Sequence, residues 1–186
     1  MKSAPTVGVM GSAAAIDSTT EGERLRSLAR ALGQTIGERK LTLFTGATTG
    51  LVYEVGKSAH EHGARHIGIS PGSSQQEHIE RYKLPIDACD AIVYTGFGLK
   101  GRNVVLVRSC DIVIFISGGM GSLNEFTVAH DEERIIGCYL GTGGVADESR
   151  YLLERFSTRK NLQLVVQSDP ARLIEACLKL WEATSK

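Results

Sequence analysis

Short apolar segments typical of buried β-strands alternate with helical segments along the whole chain. The expected strands span residues 6–10, 41–45, 66–70, 91–95, 111–116, 135–140 and 164–166. The expected helices span residues 21–38, 50–62, 101–109, 122–131, 147–156 and 170–183. Strands separated by helices pair in parallel and are covered on both faces. We therefore predict an α/β fold in which residues 1–186 form one domain, a single doubly wound parallel sheet with helices on both faces.

Residues at two predicted helix starts are typical of caps. Thr20 and Glu23 fit a capping box at the start of the first helix. Asp169 precedes Pro170, which suits an N-cap followed by proline at the first helical position. The polar stretch 73–87 shows no apolar periodicity, so we expect it to be irregular.

The charge balance restricts the possible partners. The chain has 21 Lys+Arg and 21 Asp+Glu, a formal net charge of zero, which argues against bulk electrostatic binding of nucleic acid. No apolar run approaches the ~18 residues of a membrane span. The first residues lack the apolar core of a secretory signal, and the four cysteines form no CxxC pair. We expect a cytoplasmic protein with reduced, mostly buried thiols that binds neither nucleic acid nor membranes.

Three histidines, His60, His62 and His66, lie near the end of the second predicted helix. Their spacing does not repeat the HExxH pattern of zinc enzymes. The helix dipole favours histidine in a last helical turn. We therefore expect no metal site here.

Glycine is enriched at the ends of the predicted strands. The chain has 21 glycines in 186 residues, about 11% against a typical ~7%. Glycine-containing loops at residues 10–12, 45–50 and 117–122 each follow a strand and precede a helix. Such loops present free backbone N–H groups and a positive helix end at one edge of the sheet. Three such loops favour a phosphate or nucleotide ligand over the alternative that the glycines only allow tight turns.

Three better-defined catalytic or nucleotide-binding motifs are incomplete or absent in this sequence. Residues 68–72 match GxSxG, but Pro71 has no N–H to donate to an oxyanion. The triplet Gly56-Lys57-Ser58 lies inside a helix and lacks the glycine spacing of a P-loop. No GxGxxG with a later ribose-binding acid is present. A serine hydrolase, a P-loop enzyme and a dinucleotide dehydrogenase are therefore disfavoured.

Two charged residues lie beside the glycine loops. Ser122 and Glu125 fit a capping box, so local physics favours a structural role for Glu125. Arg102 lies at the start of a predicted helix, where the dipole disfavours a cation, so a nearby anion is expected. An ion pair between Arg102 and Glu125 at a pocket floor and an arginine facing a ligand both fit. Residues 141–144 form either a lid or a plain turn.

Residues 118–125, with the sequence GGMGSLNE, resemble the PGGxGTxxE signature of the Lonely Guy (LOG) family. That family was long labelled lysine decarboxylase and includes molybdenum-cofactor carrier-like proteins. The order of features matches from about Val7 to Leu140. The resemblance implies a Rossmann-like fold and a homodimer or homotetramer. It also implies nucleoside 5′-monophosphate phosphoribohydrolase activity, which releases free base and ribose 5-phosphate from a nucleotide such as adenosine monophosphate (AMP).

The essential arginine and glutamate of the LOG family map onto Arg102 and Glu125, which the resemblance implies are catalytic. With the other glycine loops, the expected phosphate- or nucleotide-binding residues are Gly11, Ser12, Gly46, Thr48, Thr49, Gly50, Asn103, Gly118, Gly119, Met120, Gly121 and Ser122. Asn103 replaces the lysine of the common Arg-Lys pair, as in the carrier-like branch. The alternative is therefore a non-catalytic nucleotide-binding or molybdenum-cofactor carrier protein.

The expected chemistry needs no metal or cofactor. Breaking a ribosyl C–N bond develops oxocarbenium charge on the sugar, and the Glu125 carboxylate could stabilise that charge or steer water. Arg102 would orient Glu125 or an anionic group of the substrate. A pyridoxal-phosphate decarboxylase would need an activated lysine. Lys57 and Lys100 are the candidates near the loops, and neither has supporting context, so we expect that the chain is not a lysine decarboxylase.

Overall fold

A computed structural model describes residues 4–159 and 162–184. Its strands are β1 (Thr6–Gly11), β2 (Thr42–Thr45), β3 (Arg65–Ser70), β4 (Ala91–Tyr94), β5 (Ile112–Ile116), β6 (Ile135–Tyr139) and β7 (Leu164–Gln167). Its helices are α1 (Thr20–Glu38), α2 (Gly50–Glu61), α3 (Gln75–Glu80), α4 (Gly98–Arg108), α5 (Met120–Asp131), α6 (Gly144–Phe156) and α7 (Pro170–Thr184). Every strand agrees with the sequence prediction to within one residue at each end.

The seven strands form one parallel sheet in the order β4-β3-β2-β1-β5-β6-β7. Val7 on β1 pairs with Leu43 on β2 and with Ile112 on β5. The chain therefore builds the sheet outward from β1 in one direction and then returns to add β5 on the other side. The predicted doubly wound α/β fold is confirmed. At such a reversal the loops after neighbouring strands diverge and leave a crevice where ligands bind.

The helices cover the two faces of the sheet with separate apolar cores. Leu32 of α1, Val55 of α2 and Leu173 of α7 are buried against one face. Helices α4, α5 and α6 cover the other face, where the ring centroids of Phe115 and Phe126 lie 5.3 Å apart. All five residues of β5 are buried, as a strand covered on both faces requires.

Three of the helices that follow glycine turns, α4, α5 and α6, begin two or three residues earlier than predicted. Helix α4 begins at Gly98 and α6 at Gly144, both with positive φ, and α5 follows Gly118 at φ +107°. A left-handed glycine redirects the chain so that the next residue enters the helix directly. Sequence periodicity did not reveal the starts of α4 and α5 because their first residues, Gly98, Leu99 and Met120, are small or exposed.

The first helix is capped by Thr19, so the predicted Thr20–Glu23 capping box is wrong. The Thr19 side chain accepts a hydrogen bond from Gly22 N at 3.1 Å. Thr19 Oγ1 in turn donates to the Asp17 carboxylate at 2.5 Å, which fixes the start of the helix one residue earlier. The other predicted cap, Asp169, is confirmed because it accepts from Arg172 N at 2.8 Å.

The stretch predicted to be irregular contains the short helix α3. Ser74 caps it by accepting from Glu77 N at 3.1 Å. The Glu77 carboxylate accepts from Ser73 N at 2.7 Å, one residue before the cap. The sequence does carry a Ser-x-x-Glu signature here, but no apolar run follows it.

The histidines and cysteines are distributed differently from one another. His60 lies in the last turn of α2 as predicted. His66 is buried on β3, in the strand predicted over residues 66–70, so the helix-dipole explanation does not apply to this histidine. The four cysteines are unpaired, three of them buried and Cys89 half-buried.

Among residues 4–159 and 162–184, no group of three His, Cys, Asp or Glu could hold a metal ion. No described helix has the length and apolarity to span a bilayer, and residues 1–3, where the lack of a signal was predicted, lie outside the described part.

Candidate active site

A cavity of about 410 Å³ lies at the crevice between the carboxyl ends of β1 and β5. This volume falls within the ~300–1,000 Å³ that is usual for small-molecule sites. Its lining combines the ends of β1 and β2 with one side of α4 and the start of α5. The lining residues are Val9, Met10, Gly11, Ser12, Ala13, Ala14, Gly46, Thr48, Val52, Leu99, Lys100, Arg102, Asn103, Gly119, Gly121, Ser122 and Glu125.

The cavity brings together most of the predicted site residues from the three glycine loops and from α4. The predicted residues in its lining are Gly11, Ser12, Gly46, Thr48, Arg102, Asn103, Gly119, Gly121, Ser122 and Glu125. Those outside the lining are Thr49, Gly50, Gly118 and Met120.

The four predicted residues outside the lining mostly brace it. Thr49 Oγ1 donates to Ala13 O at 2.7 Å, which holds the loop after β1. A Cβ on Gly50 would lie 2.6 Å from Ser12 O, so only glycine allows this close approach. Gly118 adopts φ +107° beneath the Ser122 side chain. Met120 is 77% exposed.

Arg102 and Glu125 form a buried ion pair inside the cavity. Arg102 Nη1 lies 3.1 Å from Glu125 Oε1, and both residues are 6% exposed. Because α4 begins at Gly98, Arg102 lies in its second turn, and the predicted conflict with the helix dipole does not arise. Of the two readings of this arginine, the structure shows the ion pair.

The predicted capping box of Ser122 and Glu125 is wrong. Helix α5 begins at Met120 and its N-cap is Gly119, so Ser122 lies in the first turn. Ser122 Oγ donates to Gly11 O at 3.0 Å and ties the helix to the end of β1. Glu125 faces Arg102 on α4 and does not fold back to cap its own helix.

Burial changes the acidity of this pair. Desolvation raises the pKa of Glu125 from 4.5 to about 7, although the positive charges of Arg102 and Lys100 oppose the rise. Burial also lowers the pKa of Arg102, and the Glu125 charge opposes that change. A guanidinium nonetheless stays protonated in proteins. The cavity therefore holds a fixed positive charge beside a carboxyl group that exchanges its proton near neutral pH.

The Arg102 guanidinium is held on several sides. Nη1 donates to Asn103 Oδ1 at 3.0 Å, and Asn103 Nδ2 donates to Asn124 Oδ1 at 2.9 Å. A Cβ on Gly46 would lie 2.6 Å from both terminal nitrogens, so the Gly46 backbone packs directly against the guanidinium. Among the described residues Arg102 Nε is buried without a hydrogen-bond partner. Asn103 is predicted to bind a nucleotide, but both its amide oxygen and its amide nitrogen are hydrogen-bonded to protein side chains.

The start of α5 offers unused hydrogen-bond donors. Gly119 makes no side-chain cap bond, and the first-turn N–H groups of an α-helix have no partner within the helix. A Cβ placed on Gly119 or Gly121 would meet nothing within 4 Å, so open space lies beside these donors. Lys100 Nζ is 3.5 Å from Met120 O at the same helix end. Such an arrangement can bind an anion.

Residues 141–144 form a turn that braces the loop after β5. Ser117 N donates to Thr142 Oγ1 at 2.8 Å. Val145 N donates to Gly118 O at 2.9 Å. These bonds favour a plain turn over a lid. Gly141, Gly143 and Gly144 all have positive φ, which accounts for the glycines at this turn.

Sequence reasoning missed several residues that line the cavity, above all Lys100 and Leu99. Helical spacing could have identified them, because a helix that begins at Gly98 places Leu99 three residues before Arg102 and Lys100 three residues before Asn103. Residues three apart share a helix face. The assumed start at residue 101 hid this relation.

Comparisons with known proteins agree with this fold. A family model described as LDcluster4: SLOG cluster4 family matches residues 4–174. An uncharacterized protein of Archaeoglobus fulgidus is 27% identical over 126 residues, which cover 68% of this chain and 74% of that protein. The molybdenum cofactor binding protein from the phototrophic bacterium Rippkaea orientalis is 26% identical, with a TM-score of 0.68 and 98% of both chains covered. TM1055, known from an X-ray structure, shares the fold at 22% identity, with a TM-score of 0.76 over 92% of this chain and 99% of its own.

Proposed function

The chain belongs to the SLOG cluster4 family, and from this premise we propose that it is a nucleoside 5′-monophosphate phosphoribohydrolase. The observation that carries the proposal is the buried Arg102–Glu125 pair in a cavity that also contains the uncapped start of α5. The ion pair supplies a carboxyl group that can act on the sugar, and the start of α5 supplies N–H donors for a phosphate. The substrate class is an AMP-like nucleotide.

The proposed reaction consumes one water for each nucleotide. The bond between C1′ and the base nitrogen breaks, its electron pair leaves with the base, and a water oxygen bonds to C1′. The base gains one proton from that water, so the products are free base and ribose 5-phosphate. Glu125 in its ionised form stabilises the positive charge that develops on the sugar, accepts the proton of the attacking water and passes that proton to the departing base, which restores the carboxylate. Arg102 holds the Glu125 carboxyl in place.

The phosphate end of the substrate fixes the position of the sugar. We assign the phosphate to the N–H groups at the start of α5, beside the open space at Gly119 and Gly121. Ser12 and Thr48 in the same lining offer hydroxyl groups. Because these contacts lie outside the bond that breaks, their binding energy serves to orient the reacting carbon.

A base-release assay on a panel of nucleoside monophosphates tests the proposal. We expect at least one purine nucleotide, with AMP or an N6-modified relative first, to yield equal amounts of base and ribose 5-phosphate. Release of no base from any member of the panel would refute the hydrolase. The matched nucleosides, which lack the phosphate, serve as controls and should react far more slowly.

Lys100 should contribute to phosphate affinity, because its ammonium group lies at the start of α5. We expect Lys100→Met to weaken AMP binding about tenfold, the usual effect of losing a hydrogen bond to a charged group. Adenosine binding should not change, because adenosine has no phosphate. Titration calorimetry measures both affinities in proteins that also carry Glu125→Gln, which should hydrolyse AMP too slowly to disturb the measurement, and the exposed Lys57→Met in the same background is the control. An equal loss for AMP and adenosine would show that Lys100 does not contact the phosphate.

A second candidate function is a non-catalytic carrier of a nucleotide or of the molybdenum cofactor. Two observations favour it: the likeness to the molybdenum cofactor binding protein over 98% of both chains, and the engagement of Asn103 with Arg102 and Asn124. Mass spectrometry of ligand that co-purifies with the chain separates the candidates. A retained pterin phosphate or an intact nucleotide, together with no base release, would favour the carrier.

We also propose that residues 1–186 act as one domain in a cytoplasmic homodimer or homotetramer, as the LOG resemblance implies. The exposed apolar side chains of Phe97, Leu99 and Met120 near the cavity support an interface between copies. Light scattering after size-exclusion chromatography measures the mass of the assembly. A single-chain mass at micromolar concentration would contradict the oligomer.

A further inference from the structure

A buried histidine outside the cavity has a defined protonation pattern. His66 on β3 is 2% exposed, and its Nδ1 faces the Ala88 carbonyl oxygen. A carbonyl oxygen only accepts hydrogen bonds, so Nδ1 carries the proton of the neutral ring and Nε2 is an acceptor. Thr45 Oγ1 lies 2.8 Å from Nε2 and is therefore the donor of that bond.

The Thr45 hydroxyl also hydrogen-bonds to the loop after β2, so it links His66 to that loop. Its oxygen accepts a hydrogen bond from Ala47 N at 3.2 Å. Ala47 has φ +46°, a left-handed conformation that a residue with a side chain rarely adopts without support. The bond to Thr45 is such a support, and it depends on a hydroxyl whose proton is committed to His66.

The same loop carries the glycine that packs against the pocket arginine. Gly46 lies between Thr45 and Ala47, and its backbone approaches the Arg102 guanidinium so closely that no Cβ would fit. A change in the backbone of Ala47 therefore moves the surface on which the guanidinium rests. Arg102 is in turn the hydrogen-bond partner of Glu125.

We propose that His66 and Thr45 form a buried relay that positions Arg102 against Glu125 through the backbone of Gly46 and Ala47. Both are positioning residues, since neither reaches the cavity. The meaning of that position for catalysis rests on the proposed function, whereas the relay itself concerns the geometry of the free protein.

The surroundings of His66 suit a neutral ring in this role. The ring packs against Gly56, where a Cβ would lie 2.4 Å from Cε1. Cys89 Sγ is 3.7 Å from Nε2, and the Asp90 carboxylate accepts from the His66 backbone N–H at 2.7 Å. Burial lowers the pKa of His66, although the Ala88 carbonyl and Asp90 oppose this and His60 adds to it. The ring therefore remains an acceptor for Thr45 at neutral pH.

The test follows the carboxyl group of Glu125 by ¹³C NMR in protein labelled at the glutamate side chains, with Glu125→Gln to assign the signal. Thr45→Val keeps the shape of the side chain and removes its hydroxyl. We expect it to raise the pKa of Glu125 by at least about 0.5, because Arg102 no longer sits as close. Thr45→Ser, which keeps the hydroxyl, should titrate like wild type. His66→Phe gives a second probe that removes the acceptor and should act like Thr45→Val.

A matched control tests whether removing any buried hydroxyl shifts the pKa of Glu125. Thr35 is buried on α1 and donates to Ala31 O at 2.9 Å, away from the cavity, so Thr35→Val should leave the pKa of Glu125 unchanged. An unshifted Glu125 titration in both Thr45→Val and His66→Phe would overturn the relay. Equal shifts in Thr35→Val or in Thr45→Ser would overturn it as well. Because this readout needs no turnover, an absence of hydrolase activity would refute the proposed function and leave the relay standing.

Discussion

Replacing Glu125 with glutamine should lower the rate of base release from AMP about 10³-fold, the size of effect usual for a positioned acid or base. Glutamine has the same shape, and its oxygen can still accept the hydrogen bond from Arg102 Nη1. It carries no negative charge to stabilise an oxocarbenium ion and cannot take a proton from water. The phosphate contacts at α5 do not involve this side chain, so AMP affinity should change less than about threefold.

Steady-state kinetics of base release, together with calorimetric AMP binding, measure the two quantities separately. Glu133→Gln is the matched control, because Glu133 lies beyond the end of α5 with its side chain 75% exposed and pairs with Arg159. It should keep wild-type activity. If Glu125→Gln kept more than a tenth of the wild-type rate, another group would have to perform the chemistry.

The same substitution should also change how stability depends on pH. The pKa of Glu125 rises from 4.5 to about 7 on folding, because the folded protein removes the carboxyl from water. Below pH 4.5 both states hold the proton. Between those two values the unfolded chain releases it while the folded chain keeps it, so the folded state loses stability as pH rises. At ~1.4 kcal/mol for each pKa unit, the full loss is about 3 kcal/mol.

Glutamine does not titrate, so Glu125→Gln should lack this loss. Relative to wild type, the variant should therefore gain about 3 kcal/mol of unfolding free energy between pH 4.5 and pH 8. Urea unfolding of both proteins at several pH values and one protein concentration gives the difference. A constant difference would mean that the attraction of Arg102 equals the cost of burying the charged carboxylate, and a difference that favours wild type at high pH would mean that it exceeds that cost.

The fold could be predicted because each strand is a short apolar run between polar turns. Strand β5 is the clearest case, since five consecutive apolar residues leave no exposed face. Its one-residue disagreement has a specific cause. Asp111, expected to begin the strand, accepts instead from Thr6 N at 2.8 Å and lies at the junction of β1 and β5.

Helix starts were less predictable because they depend on backbone conformations that letters do not specify. Ser117 and Gly118 both have positive φ, and this turn places the start of α5 at Met120. The Ser-x-x-Glu pattern at Ser122 therefore falls inside the helix. The local reading of Glu125 as a capping residue failed for this reason, whereas the family signature placed it correctly beside the glycine loop.

The candidate site could be predicted in part. Arg102 and Glu125 are 23 residues apart. The expected anion near Arg102 allowed an ion pair with Glu125 as one of two alternatives, and the family motif supported it by bringing both residues to one site. The relay through His66 could not be predicted, because it depends on the register of β2 and β3. That register pairs Leu43 with His66 and brings the ring within reach of Thr45. No sequence pattern encodes a single contact across neighbouring strands.

A ³¹P NMR time course of AMP with the purified chain reports binding and turnover in one sample and so tests whether the chain hydrolyses AMP. We expect the AMP resonance to broaden on addition of protein and then to be replaced by that of ribose 5-phosphate, with free adenine in equal amount. Glu125→Gln should show the broadening without the conversion. An AMP resonance that keeps its intensity throughout, with or without broadening, and the same result for the other nucleoside monophosphates, would contradict the proposed hydrolase.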